Sequence, residues 1–341
     1  MAFKKVRIND AVGMVVGHDM TKIVPGEYKG PAFKKGHIIR EEDIPHLLNI
    51  GKEHIYLLEL SAGQIHENDA AQRLAKAVSG TNTCFAEPSE GKVHIVAQQD
   101  GLLKVNRTAV TRINSVNYTV LSTLHGNRLV RAGEKLAGVK VVPLVVEAQT
   151  IETAEKIAGE YQDIIAVKPL KSLKTGIITT GNEVFYGRIK DRFAPVLQDK
   201  IETYQATLAG TTVQPDNTEN ICQAILELVR TGAEIIVVTG GMSVDPDDVT
   251  PDAIRATGAE VITYGTPVLP GAMFMLAYLD KVAIMGLPAC GMFSKITVFD
   301  LIFPRLLAGE RLTKQDFAEM GYGGLCLGCS ECSYPCCPFG K

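Results

Sequence analysis

The pattern of apolar and polar residues changes near residue 176, where short apolar runs begin to alternate with segments of helical spacing. Apolar runs at residues 176–180, 234–239 and 282–287 predict buried strands, and a further strand begins at 212–213. Apolar residues recur every three or four positions at 197–208, 221–229, 250–258 and 293–307, which predicts four helices, the first ending at Gly210. Strands that alternate with helices indicate a mainly parallel sheet with helices packed on it.

The residues before this region show weaker patterns. Helical spacing at 41–50 and 68–78, with a strand at 54–60, predicts a small α+β unit over residues 1–80. Short β-branched runs at 93–97, 102–105, 118–121 and 140–146 and a helix at 152–161 predict a β-rich unit over 81–171, which ends in a lysine-rich linker. The α/β region then spans 172–310, and a cysteine-rich tail spans 311–341.

Composition and charge limit the function classes. The hydrophobic fraction of 46% and charged fraction of 21% are typical of globular domains, and the net charge of −3 argues against nucleic-acid binding. No signal-type apolar run begins the sequence, and the uncharged stretch 261–279 is interrupted by glycines and prolines. We therefore expect a cytoplasmic protein without a membrane span, in which 261–279 is buried strand and turn.

Two glycine-containing loops follow predicted strands, at residues 179–183 and 239–248. Ligands bind at the carboxyl ends of the strands in open parallel sheets. The paired glycines Gly240 and Gly241 allow backbone N–H groups to approach an anion, while several aspartates follow them closely. Because Mg²⁺ bridges carboxylates and phosphate oxygens, the loops predict a phosphate site with Mg²⁺. The alternative is a tight turn whose aspartates cap the next helix.

The motifs of these loops resemble those of the molybdopterin-binding domain shared by molybdopterin molybdenumtransferase, the gephyrin E-domain and the adenylyltransferases of the same pathway. Residues 180–184 resemble its T-G-D/N-E-L turn, and 187–191 resemble G-x-I-x-D. Residues 240–248 resemble G-G-x-S-x-G-x-x-D, and 270–271 and 286–288 match the starts of P-G-K-P and G-L-P-G-N-P. The resemblance covers about 140 residues and implies a three-layer α/β/α molybdopterin-binding domain with a mainly parallel sheet.

The resemblance also implies a ligand and residue roles. The family binds the pterin dithiolene phosphate, molybdopterin, or its adenylated form, and its transferases insert molybdate and release AMP with Mg²⁺. By resemblance, Glu183 and Asp248 hold the metal or orient the phosphate, and Asp191 supports the pterin; each has the alternative of a helix cap or turn residue. The implied cofactor-binding residues are Thr180, Gly181, Asn182, Gly240, Gly241, Ser243, Asp245, Pro270, Gly271 and Pro288.

Departures from the family motifs keep other functions open. Asp245 replaces a family glycine, Ala272 replaces the lysine of P-G-K-P, and G-N-P is lost after Pro288. These changes favour a non-enzymatic pterin carrier or sensor that hands cofactor to a molybdoenzyme or cofactor-assembly protein. Residues 247–250 resemble the D-D-L-T of the competence/damage-inducible protein A domain, which includes nucleotide pyrophosphatases. Residues 1–170 are compatible with a homodimer contact or with a lid.

The tail contains five cysteines within twelve residues. Its C-x₂-C-x₂-C-x₃-C spacing is that of a ferredoxin-like iron–sulfur site, and four of the five thiolates are also compatible with tetrahedral Zn²⁺. A docking site for another protein and an unliganded, disordered tail are the alternatives. The candidate metal ligands are Cys326, Cys329, Cys332, Cys336 and Cys337.

Overall fold

The chain folds into two compact units, and the boundary between them in the sequence lies near residue 168. The computed structural model describes residues 3–24, 26–58, 60–89, 91–288 and 294–341. The first unit comprises Met1–Gly126 and Val130–Lys168, and the second comprises Asn127–Leu129 and Pro169–Lys341. The predicted separation of residues 1–80 from 81–171 stays a prediction.

The first unit contains thirteen short strands and four helices in its described residues. The strands are β1 Phe3–Arg7, β2 Met20–Val24, β3 Tyr28–Phe33, β4 His54–Leu58, β5 Gln64–His66, β6 Thr83–Phe85, β7 Lys92–Ala97, β8 Gly101–Val105, β9 Thr119–Thr123, β10 Leu129–Val130, β11 Lys135–Val141, β12 Val145–Glu147 and β13 Ile165–Lys168. The helices are α1 Ile44–Asn49, α2 Glu67–Val78, α3 Arg107–Asn114 and α4 Ala148–Gly159, with 3₁₀ turns at Ile8–Asp10 and Glu41–Asp43.

These strands form several small sheets. The largest has the order β6-β7-β11-β9, and a three-stranded sheet has the order β10-β8-β13. Helices α2, α3 and α4 bury alanine, leucine, valine and isoleucine side chains in one core with both of these sheets, for example Leu74, Ile113 and Ala154. A separate small core lies among residues 8–55.

Two predictions for this unit were wrong. The run 140–146 is two strands, β11 and β12, because β11 starts at Lys135 to pair with both β7 and β9. Helix α3 was missed because its sequence contains several β-branched residues and buries only Ala109 and Ile113. Glu59, within the predicted strand 54–60, lies outside the described residues.

The second unit has a single six-stranded sheet among its described residues. Its strands are β14 Lys174–Thr180, β15 Thr207–Gln214, β16 Ile235–Thr239, β17 Glu260–Tyr264, β18 Met275–Leu279 and β19 Val282–Leu287, in the order β15-β14-β16-β19-β18-β17. The first four in this order are parallel, and β18 is antiparallel to both of its neighbours, β19 and β17. The helices are α5 Asn182–Phe185, α6 Phe193–Thr203, α7 Thr218–Arg230, α8 Thr250–Ala256, α9 Val298–Leu307 and α10 Lys314–Glu319.

Alternate side chains of the central strands point to opposite faces of the sheet, and helices cover both faces. On one face, Ile177 and Val237 pack in a core with α6, α9 and α10. On the other, Ile178 and Val238 pack with α7 and α8. Parallel strands buried on both faces are continuous apolar runs. The predicted three-layer α/β/α arrangement with a mainly parallel sheet is therefore confirmed.

Two helix predictions in this unit differ from the structure. Helix α6 ends at Thr203, and Leu208 and Gly210 belong to β15, where they pair with β14. The last helix begins at Val298 rather than near 293, because the Thr297 side chain caps it by accepting a hydrogen bond from Phe299 N–H. Residues 289–293, which include the positions compared with G-N-P, lie outside the described residues.

The stretch 261–279 forms parts of β17 and β18 with a connecting segment, as predicted. No helix within the described ranges is both long and apolar enough to cross a membrane.

Candidate functional site

The first glycine turn connects β14 to the short helix α5. Thr180, at the end of β14, is 3% exposed, whereas Glu183 is exposed to solvent. Gly181 has a φ of 143°, and a Cβ on it would lie 2.8 Å from Glu183 Oε1. Glycine at this position therefore lets the Glu183 carboxylate fold back over the turn.

The second glycine turn follows β16 and contacts the first. Gly240 has a φ of 101°, and a Cβ there would lie 2.4 Å from the carbonyl oxygen of Thr180. The Thr250 hydroxyl donates to Gly240 O at 2.8 Å, and Thr250 N–H donates to Gly241 O at 3.1 Å. Because β14 and β16 are parallel neighbours, their carboxyl ends bring the two predicted loops into one site.

Residues 243–247 of the second turn are exposed, and further hydrogen bonds hold the turn. The Tyr264 hydroxyl donates to the carbonyl oxygen of Met242 at 3.2 Å. Asp245 N–H donates to Asp248 Oδ2 at 3.0 Å, so the Asp248 carboxylate also shapes its own turn. Ser243 and Asp245 are exposed and are thus accessible to a ligand.

Asp216 is a site residue that the sequence analysis missed. It follows β15, and its Oδ2 accepts a 2.8 Å hydrogen bond from Asn182 N–H in the first turn. Burial raises the pKa of Asp216, and the nearby carboxylates of Glu183, Asp247 and Asp248 raise it further. A single aspartate after an edge strand is a weak signal, but its position at the carboxyl end of a parallel strand could have identified it.

Asp191 lies next to the first turn and makes structural contacts. Its Oδ2 accepts a 2.7 Å hydrogen bond from the Thr179 hydroxyl. Its Oδ1 accepts from Phe193 N–H at 2.8 Å and from Ala194 N–H at 3.2 Å, at the start of α6. These bonds connect β14 to α6 and match the alternative of a helix cap, while the predicted catalytic role stays a prediction.

The carboxylates of this site are of the kind that Mg²⁺ prefers, since hard cations take oxygen ligands. Beyond the effect of burial, the pKa of Asp216 is raised by the nearby carboxylates of Glu183, Asp247 and Asp248. Across the described ranges, however, no three His, Cys, Asp or Glu side chains are grouped closely enough to hold a metal ion by themselves. A cation here would therefore need oxygen atoms from a ligand to complete its coordination.

Two sequence families match parts of the chain. The profile of a family described as a probable molybdopterin binding domain matches residues 176–308, which contain both glycine turns, and a domain of unknown function matches residues 5–59. Residues 176–308 are a molybdopterin-binding-family domain.

Curated relatives share a shorter stretch with the chain. A CinA-like protein of Mycobacterium sp. (strain JLS) is 35% identical over 92 residues, which cover 27% of this chain and 22% of the relative. A CinA-like protein of Mycobacterium leprae (strain TN) is 31% identical over 83 residues, or 24% of this chain and 19% of the relative. The chain spans about a fifth of the length of the curated relatives it matches.

Solved structures align with part of the chain at low identity and with low TM-scores. The tungsten cofactor synthesizing protein MoaB from Pyrococcus furiosus has a TM-score of 0.34 and 17% identity, and the match covers 42% of this chain and 99% of that one. The protein CinA from Thermoplasma acidophilum has a TM-score of 0.32 and 15% identity, with 36% and 92% coverage.

The remaining predicted pterin-binding residues lie at the same edge of the sheet of the molybdopterin-binding-family domain. Pro288 follows β19, and Pro270 and Gly271 precede β18, whose Met275 pairs with Gly286 of β19. A Cβ on Gly271 would lie 2.7 Å from Val298 Cγ1, so this loop packs on the start of α9. Gly271 thus lies against α9 and Pro270 lies beside the tail, while the glycine turns contact each other.

The tail is folded against the molybdopterin-binding-family domain. Cys326 and Cys337 are half-buried and pack on the core that contains α9, while the other three tail cysteines are exposed. All five are free thiols. The alternative of a disordered tail is therefore wrong.

Proposed function

We propose that this protein binds the phosphate of a molybdopterin-type pterin at the joined glycine turns and acts in molybdenum cofactor assembly. The observation that carries the proposal is the contact of Gly240 with Thr180, which places both predicted phosphate-binding turns in one site. The match of residues 176–308 to the probable molybdopterin binding domain supports the choice of ligand.

In this site the backbone amides of Gly240 and Gly241 would bind the phosphate, with hydroxyl donors from Thr180 and Ser243. Glu183 and Asp248 would share a Mg²⁺ ion with the phosphate oxygens, which would relieve the repulsion that raises the pKa of Asp216. Mg²⁺ would also stabilise the negative charge that develops when a phosphoanhydride bond breaks.

The reaction that fits these groups is cleavage of the anhydride in adenylated molybdopterin, with AMP as the leaving group and molybdate as the second substrate. The test is AMP release by anaerobically purified protein given adenylated molybdopterin, Mg²⁺ and molybdate. We expect Glu183→Ala and Asp248→Ala to lower the rate about 100-fold or more, since each removes charge next to the reacting phosphate.

Asp252→Ala is the matched control for these variants. Asp252 is an exposed carboxylate on α8 that pairs with Arg255, and its loss should leave the rate unchanged. Binding of the pterin without AMP release would favour the carrier. Failure to bind the pterin at all would overturn the proposal.

The phosphate site itself can be tested with a pair of glycine variants. Gly240→Ala forces a collision with Thr180, whereas Gly258→Ala has a similar left-handed φ of 83° and no atom within 4 Å of the added Cβ. Both variants carry backbone strain, and only the first separates the two turns. We expect pterin binding to be lost in Gly240→Ala and retained in Gly258→Ala.

A nucleotide pyrophosphatase is the second candidate, and the similarity to CinA-like proteins favours it. The same acidic site would then hydrolyse the diphosphate of a dinucleotide with Mg²⁺. Hydrolysis of ADP-ribose in the absence of molybdate would select this activity over metal insertion.

A further inference from the structure

The cysteine-rich tail surrounds a cavity. The cavity has a volume of about 590 Å³, and four of the five tail cysteines line it, with Pro270 and residues 294–296 on the opposite side. The four are Cys326, Cys329, Cys332 and Cys337. Four thiols around one cavity are a donor set for a thiophilic metal.

The tail is attached to the domain on both sides of the exposed cysteines. Before them, Cys326 N–H donates to Leu269 O and Leu269 N–H donates to Gly324 O, both at 2.8 Å. After them, Phe339 is 3% exposed in the core, and Gly340 N–H donates to Gly323 O at 2.9 Å. Residues 327–336 therefore form a loop with two fixed ends.

The structure distinguishes two neighbouring cysteines, and it favours Cys337 over Cys336, which is the fourth cysteine of the C-x₂-C-x₂-C-x₃-C spacing. Cys337 lines the cavity and packs, like Tyr334, against the core that contains α9. Cys336 is exposed, lies outside the lining, and donates its N–H to Ser333 O at 2.7 Å in a turn. Cys337 therefore faces the cavity, and Cys336 does not.

We propose that Cys326, Cys329, Cys332 and Cys337 bind a thiophilic metal centre in this cavity, either one Zn²⁺ or an iron–sulfur cluster, and that Cys336 is not a ligand. The thiols lose their protons to solvent as they bind, and four thiolates with one Zn²⁺ carry a net charge of −2. Lys295, which lines the cavity, offsets part of this charge, while Glu331 at the exposed side opposes it.

Metal binding requires the loop to move inward. Over residues 294–341, as in the other described parts, no three candidate ligands are grouped closely enough to hold an ion. Cys326 and Cys337 are fixed by the core, so the exposed Cys329 and Cys332 would move toward them. We therefore expect the backbone amides of 327–336 to exchange hydrogen more slowly once metal is bound.

The cavity lies at the functional edge of the sheet. It includes Pro270, and the loops that hold Pro270 and Pro288 lie at the edge where β14, β16 and β19 end. A metal centre there would fix residues 294–296 beside the candidate pterin site. The metal site does not depend on the proposed function, since its test needs no pterin.

The test uses the full chain, purified anaerobically. Co²⁺ and Zn²⁺ are titrated in one arm, and Fe²⁺ and Fe³⁺ with sulfide are used for reconstitution in the other. We expect one centre per chain, seen as thiolate-to-Co²⁺ charge-transfer absorption in the first arm or as bound iron and sulfide in the second. A stable centre in either arm supports the proposal and identifies the metal.

Variants assign the ligands. Cys329→Ser and Cys337→Ser should weaken metal binding about 100-fold or more, since even the partners of metal ligands contribute 10- to 100-fold. Cys336→Ser should bind the metal as tightly as the unchanged protein does. Cys222→Ser should do so too, because Cys222 lies on α7, outside the tail. Because Cys329 is exposed, its replacement does not disturb packing, and thermal unfolding of the metal-free variants checks this for Cys337.

Two results would overturn the proposal. One is metal binding that survives Cys337→Ser but is lost in Cys336→Ser. The other is metal binding by the unchanged protein that is no tighter than that of a variant with serine at all four proposed ligands.

Discussion

Asp216 combines two roles that oppose each other. Its carboxylate accepts the Asn182 N–H and so holds the first glycine turn in place. The same carboxylate is half-buried beside three others, which makes its ionised form unfavourable in the folded protein. Residues of this type lower folding stability but place a negative charge at a candidate functional site.

We predict that Asp216→Asn raises the melting temperature at pH 7 by about 1–3 °C, a change that corresponds to less than about 1 kcal/mol. Because the pKa of Asp216 is raised in the folded state, the folded state loses stability as the pH rises above the ordinary aspartate pKa of 3.8. The difference in melting temperature between Asp216→Asn and the unchanged protein should therefore shrink as the pH falls toward 3.8. The asparagine oxygen still accepts the Asn182 N–H. Melting curves from pH 4 to pH 8 measure the effect.

Mg²⁺ provides the control for this prediction. It should raise the melting temperature of the unchanged protein more than that of Asp216→Asn, because only the former has the full repulsion to relieve. A variant that is less stable at every pH would show that the hydrogen bond outweighs the charge.

The residues of the glycine turns were predictable from the sequence, but the contacts that join them were not. Thr180, Gly240 and Gly241 stand in recognisable motifs. Tyr264, which donates to Met242 O, and Asp216 belong to strands or loops far away in sequence, and single tyrosines and aspartates carry no pattern. Such contacts depend on strand order, which hydrophobic periodicity does not specify.

At the scale of elements, helices α6 and α9 are joined by a buried ion pair. Lys200 Nζ lies 2.6 Å from Asp300 Oδ2, and the two side chains are 16% and 3% exposed. The Tyr204 hydroxyl donates to Asp300 Oδ1 at 3.1 Å, and Thr297 N–H donates to Oδ2 at 2.8 Å. Asp300 therefore both caps α9 and fixes it to α6 on one face of the sheet.

We predict that Lys200→Met destabilises the protein by about 3–5 kcal/mol, because it leaves the Asp300 carboxylate buried without its countercharge. Lys200→Met with Asp300→Asn should recover part of this loss, since the amide oxygen still accepts from Tyr204 and Thr297. Urea unfolding gives the free energies.

Arg230→Met on α7 is the matched control for this ion pair. Arg230 and its partner Glu227 are both largely exposed, and the expected cost is below about 1 kcal/mol. If Lys200→Met and Arg230→Met lowered the free energy of unfolding equally, burial would not determine how much an ion pair contributes.

The elements of the second unit were more predictable than those of the first for a physical reason. Strands β14, β16 and β19 are buried on both faces and therefore have continuous apolar runs. Edge strand β15 is largely exposed, and so its start was mistaken for the end of α6. In the first unit, short strands in several small sheets have partners that local sequence does not identify.

At the scale of the whole molecule, each compact unit has hydrophobic cores of its own. The second unit has one core on each face of its sheet, and the first has a main core and two smaller ones. Units with separate cores can in principle fold alone.

We therefore predict that residues 169–341 fold without the rest of the chain. Thermal unfolding followed by circular dichroism should show a cooperative transition, and pterin binding should match that of the full chain. Residues 1–168 serve as the comparison and should show no pterin binding. A fragment 169–341 without a cooperative transition would contradict the independence of the two units.

The position of the tail also bears on how the protein is made. All six strands of the sheet are present once the ribosome has passed residue 287, but Leu301 of α9 packs against Gly340, and Phe339 enters the same core. A polypeptide from a message broken after the codons for α9 but before the codon for Phe339 would contain every strand of this sheet, with part of the apolar surface of α9 uncovered. Chaperones and proteases recognise such surfaces, so incomplete copies would be removed before they could accumulate beside the longer protein.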